Sequence, residues 1–403
     1  MKQIVIIATL DTKGPEVAYV RDRIEALGAR PIVVDSGILG EANGILPDIT
    51  RSEVAAAAVH TLLKIRAAGS RGAAVEVMAH GVREVVLRLW HQGRLDGVLC
   101  LGGAEGALLG VAGMHALPLG VPKVLVTPSA SGRRRFAPFA ADSDVVMMHS
   151  VIDILGVNTI SRAIFDNAVA AVVGMTRDGG GEVRIDAGQL TGITMLGNTT
   201  PGAMRLREVL ESAGRETAVF HANGVGGPAM EKLAAAGCFS GIVDYTLAEI
   251  SNTYMNGVLA AGPDRLRVAG RCGIPQVVVP GGIDFFNQSA PLPPRWRLRQ
   301  VYRHNPISML VRLLPAEMAA VGRIVAERLN DAVGPVCVVI PNLGFSINAV
   351  PGGKLWDPEG DAAFIEALSA ALRPEIALEL VDTHVNDPAF GELVARRYLD
   401  MFS

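Results

Sequence analysis

The stretch Leu99–Gly110, LCLGGAEGALLG, carries an apolar run into Gly102, Gly103 and Gly106, with Glu105 as its lone charge. Where a strand gives way to a helix, unpaired backbone amides and the helix's partial positive charge attract anions. Glycine leaves no Cβ in the way of a ligand approaching the backbone. Gly102, Gly103 and Gly106 are therefore candidates for a phosphate cradle. The pattern is neither GxGxxG nor a Walker loop, because no Lys-Ser/Thr follows. A plain tight turn in a parallel sheet accounts for the same glycines.

Three further loops carry the same chemistry. TLDTKGPE places Thr9, Asp11, Thr12 and Lys13 just after a strand. Lysine is a point charge suited to phosphate, and the hydroxyls suit phosphate or the water around magnesium. A capped helix with a solvated lysine is the alternative. Asp35 and Ser36 end a second strand, where a carboxylate can read a ribose. TPSASG supplies Thr127, Ser129, Ser131 and Gly132 after another. Four such loops on one sheet edge make a nucleotide crevice the expectation.

The second half has its own polar set. His221, Asn223 and the turn Gly224, Gly226, Gly227 end one strand, and Asp244 and Glu249 follow another. Asp284, Asn287, His304, Asn305 and Ser346 come later. If they converge, His221 or His304 is a candidate base, and Asp244, Glu249 and Asp284 are carboxylates to orient it. The glycine turn offers a second anion nest. Alternatively the histidines bond backbone carbonyls and the glycines only permit close packing. No HxH, HxxxH or HExxH spacing occurs, so no zinc site is expected and no metal ligands are assigned. His384 reads as a loop or interface residue.

The elements that must position these residues alternate. QIVIIATL, PIVVD, GVLCL and KVLVT read as buried strands, separated by segments with apolar residues at helical spacing such as Val17, Val20, Ile24 and Leu27. Thr50 and Glu53 form a capping-box pattern opening a helix expected to run to about Ala68, and another helix is expected over Arg71–His91. A helix from Thr159 to Met175 closes this half. The glycine-rich TRDGGGEVRIDAG then marks a boundary, placed between residues 178 and 179. After it GITMLG, AVFHAN, GIVDYT, QVVVPGG, VCVVIP and IALELVD restart the alternation, and DPAFGELVARRYLDMF reads as a closing helix. The expected fold is α/β: two doubly wound Rossmann-like domains, 1–178 and 179–403, with mostly parallel sheets and a ligand cleft at the strand carboxyl ends.

Bulk properties exclude other classes. The 403 residues are 50% hydrophobic and 19% charged, with a net charge of −3, enough apolar material for two cores. No basic stripe for nucleic acid is present; the run Arg133–Arg135 reads as a solvated loop or an anion contact. No apolar stretch approaches the roughly 18 residues of a membrane span, and no signal-peptide pattern leads the chain. The four cysteines, Cys100, Cys238, Cys272 and Cys337, are far apart and form no CxxC, so reduced thiols and a cytoplasmic location are expected. The long apolar stretch VVMMHSVIDILG suits either the core or a two-fold interface, and a homodimer or higher homo-oligomer is expected.

The stretches ATLDTKGPE, VLCLGGAEGALLG, VTPSASG and, most specifically, DVVMMHSVIDILGVNTISRAIFDNAVAAVVGM resemble the Tm-one-like family, named for a plant resistance protein against tomato mosaic virus. VFHANGVGGPAMEKL, VVVPGGIDFFN, RHNP and IPNLGFS extend the resemblance over the whole chain. It implies an N-terminal domain that binds ATP with magnesium and a distinct α/β C-terminal domain. Where the family has a GGS-G-GT-type loop, this chain has Gly102-Gly103-Ala104-Glu105-Gly106-Ala107, with two hydroxyls missing and a carboxylate added. A D-x-TTTE pattern stands here as Asp244-Tyr245-Thr246-Leu247-Ala248-Glu249, and Asn252 replaces an aspartate. Three functions follow as expectations: an ATP-assisted enzyme on a small metabolite bound in the C-terminal domain; a nucleotide-responsive binding or regulatory protein without turnover; or a nucleotide-independent hydrolase or lyase in the C-terminal domain.

Overall fold

The computed structural model describes residues 1–130, 137–140, 143–177 and 190–402. The chain divides into two compact units, Met1–Arg184 and Ile185–Ser403. The expected boundary at 178/179, the run 133–135, and Ser131 and Gly132 lie outside the described residues.

Unit 1 runs β1 (Gln3–Ala8), α1 (Leu10–Ala26), β2 (Arg30–Asp35), α2 (Arg51–Ala57), α3 (Leu62–Arg66) and α4 (Arg71–His91). It continues with β3 (Gly97–Leu101), α5 (Ala104–Ala116), β4 (Lys123–Thr127), α6 (Ala137–Ala140), β5 (Val146–His149) and α7 (Thr159–Arg177). The five strands are parallel, in the order β2-β1-β3-β4-β5. Strand side chains alternate between faces. Along β1, Val5 and Ile7 therefore join the core beneath α4 and α5, while Ile4, Ile6 and Ala8 join the one beneath α1 and α7. A strand covered on both faces must be apolar at every position, and that is why these strands read as unbroken hydrophobic runs. β5, part of VVMMHSVIDILG, is one of the two edge strands, and none of its residues is fully buried.

One helix expectation is corrected. The capping box is present: Thr50 Oγ1 accepts from Glu53 N at 3.2 Å, and Glu53 accepts from Thr50 N at 2.8 Å. Yet the helix ends at Ala57 instead of reaching Ala68, because Val59 turns to a φ of 61° and Thr61 caps a new helix, α3. α1 begins at Leu10, and Lys13 leaves helical geometry with φ −126° and ψ 16°. Pro15 lies just beyond, where its missing N–H separates the first turn from the rest of the helix.

Unit 2 contains β6 (Leu190–Met195), α8 (Thr200–Ser212), β7 (Glu216–His221), α9 (Gly226–Ala235), β8 (Gly241–Thr246), α10 (Ala248–Tyr254) and α11 (Val268–Arg271). Next come β9 (Gln276–Gly281), β10 (Phe285–Ser289), β11 (Val301–Asn305), β12 (Ser308–Arg312) and α12 (Pro315–Asn330). β13 (Val336–Pro341), α13 (Pro358–Ala371), β14 (Ala377–Val381) and α14 (Pro388–Leu399) complete it. Six parallel strands lie in the order β14-β13-β9-β8-β6-β7. α8 and α14 pack on one face through Leu206, Leu210, Phe390 and Val394, and α12 and α13 on the other through Met318, Val321, Phe364 and Leu368. The sequence reading has no counterpart of the small antiparallel sheet β10-β12-β11. No helix among the described residues is long and apolar enough to cross a membrane.

Candidate functional site

In unit 1, β2 lies on one side of β1 and β3 on the other, so the chain leaves β1 and β3 in opposite directions. Such a switch point opens a crevice at the strand carboxyl ends. A cavity of about 840 Å³ occupies that place, lined from the β1 loop by Thr9, Asp11, Thr12 and Lys13 and from the β3 loop by Gly103, Glu105 and Gly106. Its volume falls in the usual range of small-molecule sites, roughly 300–1,000 Å³.

Three helices start at this cavity. Thr9, Ser70 and Gly103 are the N-caps of α1, α4 and α5, and all three line it. Ser70 caps its own helix by accepting from Ala73 N at 3.1 Å. Thr9 and Gly103 make no side-chain cap. At α1, Leu10 N is taken by Asp35 Oδ1 and Thr12 N by the Thr9 carbonyl, whereas Gly103 leaves the first amides of α5 to a ligand or water. The glycines of the β3 loop divide by role. A Cβ on Gly102 would lie 2.5 Å from Ala107 N and Gly106 C, so packing alone demands glycine there. A Cβ on Gly103 would meet no described residue within 4 Å. Space beside that N-cap is open.

The charges at the cavity are mixed. Lys13 Nζ donates to the Ile154 carbonyl. The Thr9 and Thr12 hydroxyls share a hydrogen bond of 2.9 Å. Asp11 Oδ2 accepts from Gly40 N at 3.1 Å, while its buried Oδ1 has no hydrogen-bond partner among the described residues. Glu105 pairs with Arg71, Nε to Oε1 at 2.7 Å and to Oε2 at 2.9 Å, and both side chains are well exposed. Arg66, also at the cavity, donates Nε to the Ile38 carbonyl at 2.6 Å.

Other residues expected at this crevice are not among those that line it. Asp35 is buried, accepting from Leu10 N at 3.1 Å, Gly37 N at 2.9 Å and Arg51 Nε at 2.7 Å. It ties β2 to α1 and α2, and its carboxylate is not presented to a ribose. Ser36, Thr127 and Ser129 are buried as well, Thr127 Oγ1 accepting from Ser129 N at 3.1 Å.

Unit 2 gives its expected catalytic carboxylates another task. Asp244 and Glu249 converge on Arg265, whose side chain is fully buried. Asp244 grips it by both oxygens, at 2.5 and 2.7 Å, and Glu249 Oε2 accepts from its Nε at 2.6 Å. Glu231 joins at 3.2 Å. Burial opposes the charge on Arg265, but these three acids outweigh it and hold the guanidinium pKa well above its usual value. Burial pushes Glu231 up to about 7 against the pull of Arg265. The glycine turn, expected as a second anion nest, is filled from within. Glu249 Oε1 accepts from Gly224 N at 2.8 Å and Gly227 N at 3.2 Å. A Cβ on Gly227 would strike Glu249 and Arg265, at 1.9 and 2.2 Å.

Asp284 is also buried, accepting from Ser346 Oγ at 2.8 Å with Arg312 Nη1 at 3.2 Å, and burial raises its pKa despite that arginine. His221 ends β7 and His304 lies on β11 of the antiparallel sheet, both exposed. With Asp244, Glu249 and Asp284 committed to arginines, the expected histidine–carboxylate base is not assembled. Among the described residues no group of three or more His, Cys, Asp or Glu is arranged to hold a metal.

Sequence spacing does not bring Arg71 and Ser70 to the site, although the start of the helix over Arg71–His91 lies at the same cavity as the glycine turn.

Comparison with known proteins fits this two-unit layout. The family models described as the N-terminal and C-terminal domains of the uncharacterised protein family UPF0261 match residues 2–179 and 189–402. A UPF0261 protein of Clostridium tetani is 36% identical over 403 residues, 99% of each chain. One from Rhizobium meliloti is 38% identical, over 100% of this chain and 99% of its own. The ToMV resistance protein Tm-1(GCR237) of Solanum lycopersicum is 33% identical over 82% of this chain, which is 45% of that protein. Among solved structures, a putative UDP-N-acetylglucosamine 2-epimerase from Listeria monocytogenes covers 100% of this chain and 95% of its own at 11% identity, but its TM-score of 0.25 says nothing of ligand or chemistry. With both domains matched over nearly their whole length, the chain belongs to the UPF0261 family.

Proposed function

We propose that this protein binds ATP with magnesium in the unit 1 cavity and uses it in an ATP-assisted reaction on a small metabolite. The observation that carries the reading is the uncapped start of α5 at Gly103, open to a cavity at the β1/β3 switch point. Backbone amides at the start of α5 suit a polyphosphate. Thr9, Thr12 and the free oxygen of Asp11 would hold the hydrated magnesium. Ile38, Leu39 and Val75 give the cavity an apolar wall for a base. Bound ATP would supply an activated phosphoryl group. The protein's part is to fix the phosphates with main-chain donors.

The second reading, nucleotide binding without turnover, is favoured by the commitment of Asp244, Glu249 and Asp284 to buried arginines. Calorimetric titration of the full chain with Mg-ATP tests the shared core of both readings. Saturable one-to-one binding, lost in Gly103→Val, is expected. No binding, or binding that ignores Gly103→Val, would remove both. Phosphate release that requires an added metabolite then separates the enzyme from the regulator.

A further inference from the structure

We infer that Arg71 is the phosphate-gripping cation of the unit 1 cavity, and that Glu105 is an internal anion holding it until ligand takes its place. The inference rests on the nucleotide reading above. Among the described residues, three cationic side chains line the cavity. Lys13 is tied to the Ile154 carbonyl, and Arg66 to the Ile38 carbonyl with Glu41 3.8 Å away. Both are anchored to backbone. Arg71 is held differently, by the side chain of Glu105 at 2.7 and 2.9 Å.

That pair is built to exchange. Arg71 is 73% exposed and Glu105 44%. An ion pair so open to water gains little, since screening and the entropy of two long side chains offset the attraction. A phosphate offers the same forked guanidinium a multiply charged partner with more acceptor oxygens. Both residues sit in first helical turns, Arg71 opening α4 and Glu105 in α5, beside the N-caps Ser70 and Gly103. A polyphosphate over the start of α5 would therefore lie within the reach of Arg71 while repelling Glu105. Exchange answers the otherwise awkward presence of a carboxylate in a phosphate loop. Glu105 neutralises Arg71 in the empty site and is displaced when the site fills, so it lowers affinity through Arg71.

A double-mutant cycle in the full chain, titrated calorimetrically with Mg-ATP, tests this. Arg71→Ala should weaken binding by about 10-fold or more, the usual loss for one charge-assisted contact. Glu105→Gln should tighten it by about 2- to 5-fold, the cost of freeing an exposed ion pair. In the Arg71→Ala background the Glu105→Gln gain should disappear. Adenosine, which lacks phosphate, should bind all four proteins alike. An equal Glu105→Gln gain in both backgrounds would mean simple charge repulsion and overturn the exchange. Unchanged affinity in Arg71→Ala would overturn it too, leaving the nucleotide reading intact provided Gly103→Val still abolishes binding. Wild-type protein that ignores ATP would instead sink the nucleotide reading itself. Because both side chains are exposed, none of these variants removes a core contact.

Discussion

Glu231 is held in a site that disfavours its charge. It is buried, its pKa is pushed up to about 7 from an ordinary 4.5, and burial is the leading cause. Between those values the folded protein keeps a proton that the unfolded chain has given up. The group's contribution to stability is therefore complete below about pH 4.5 and is lost as pH rises through 7. Oε1 alone accepts from Arg265 Nη1 and Leu266 N, so glutamine preserves both bonds without the titration. Glu231→Gln should gain on wild type by roughly 2 kcal/mol between pH 5 and pH 8, read from urea midpoints at each pH. A constant difference between the two proteins would refute the assignment. The same cluster shows where single residues became illegible. Asp244 and Glu249 stand out as acids at strand ends, but their partner Arg265 lies 21 and 16 residues further on, in a loop with no motif. Spacing identifies an acid. It does not reveal whether a buried arginine has already claimed it.

Elements were more legible than their ends. Apolar runs fixed the sheet strands because burial on both faces leaves no room for polar residues. The short antiparallel sheet escaped because β11, VYRHN, is mostly exposed and carries no such pattern. The α2–α3 break escaped because Val59, a β-branched residue, adopts a positive φ that its type disfavours. The β3–α5 junction shows two adjacent glycines under different constraints. Gly102→Ala drives a Cβ against the backbone of Gly106 and Ala107 at 2.5 Å, and should destabilise unit 1 by about 2 kcal/mol. Gly103→Ala enters open space and exchanges one uncapped N-cap for another, so its cost should stay below about 1 kcal/mol. Urea unfolding of both variants measures the contrast, and equal losses would contradict the packing argument.

At the scale of the molecule the two units repeat one plan and use it differently. Unit 1 has the order β2-β1-β3-β4-β5; unit 2 has β7-β6-β8-β9-β13 in the same sense, extended by β14. Each has a switch point beside its first strand. In unit 1 that point opens into the cavity. In unit 2, between β6 and β8, the buried hydroxyls of Thr199 and Thr246 meet at 2.7 Å, and the Asn198 carbonyl takes Ile347 N and the Asn386 amide. Each unit also has a glutamate near a glycine turn. Glu105 is exposed and paired across open solvent, whereas Glu249 is fully buried against Arg265 and fills its own turn. Sequence could indicate both turns but not which one the protein had already occupied, because that depends on contacts between residues far apart in the chain.

Ligand binding should then fall on unit 1 alone. A ligand at 100 times its Kd adds about 2.7 kcal/mol to the state that binds it. For a domain of this size that raises the unfolding midpoint by roughly 5–10 °C. Each unit has its own hydrophobic core, so calorimetric unfolding of the full chain should resolve two transitions. Saturating Mg-ATP should shift one of them, and that shift should be lost in Gly103→Val. A shift carried by the other transition, and unaffected by Gly103→Val, would move the nucleotide to unit 2 and require Glu249 to leave the Gly224–Gly227 turn. Its buried contact with Arg265 makes that the costlier rearrangement, since it would strand a charge without water.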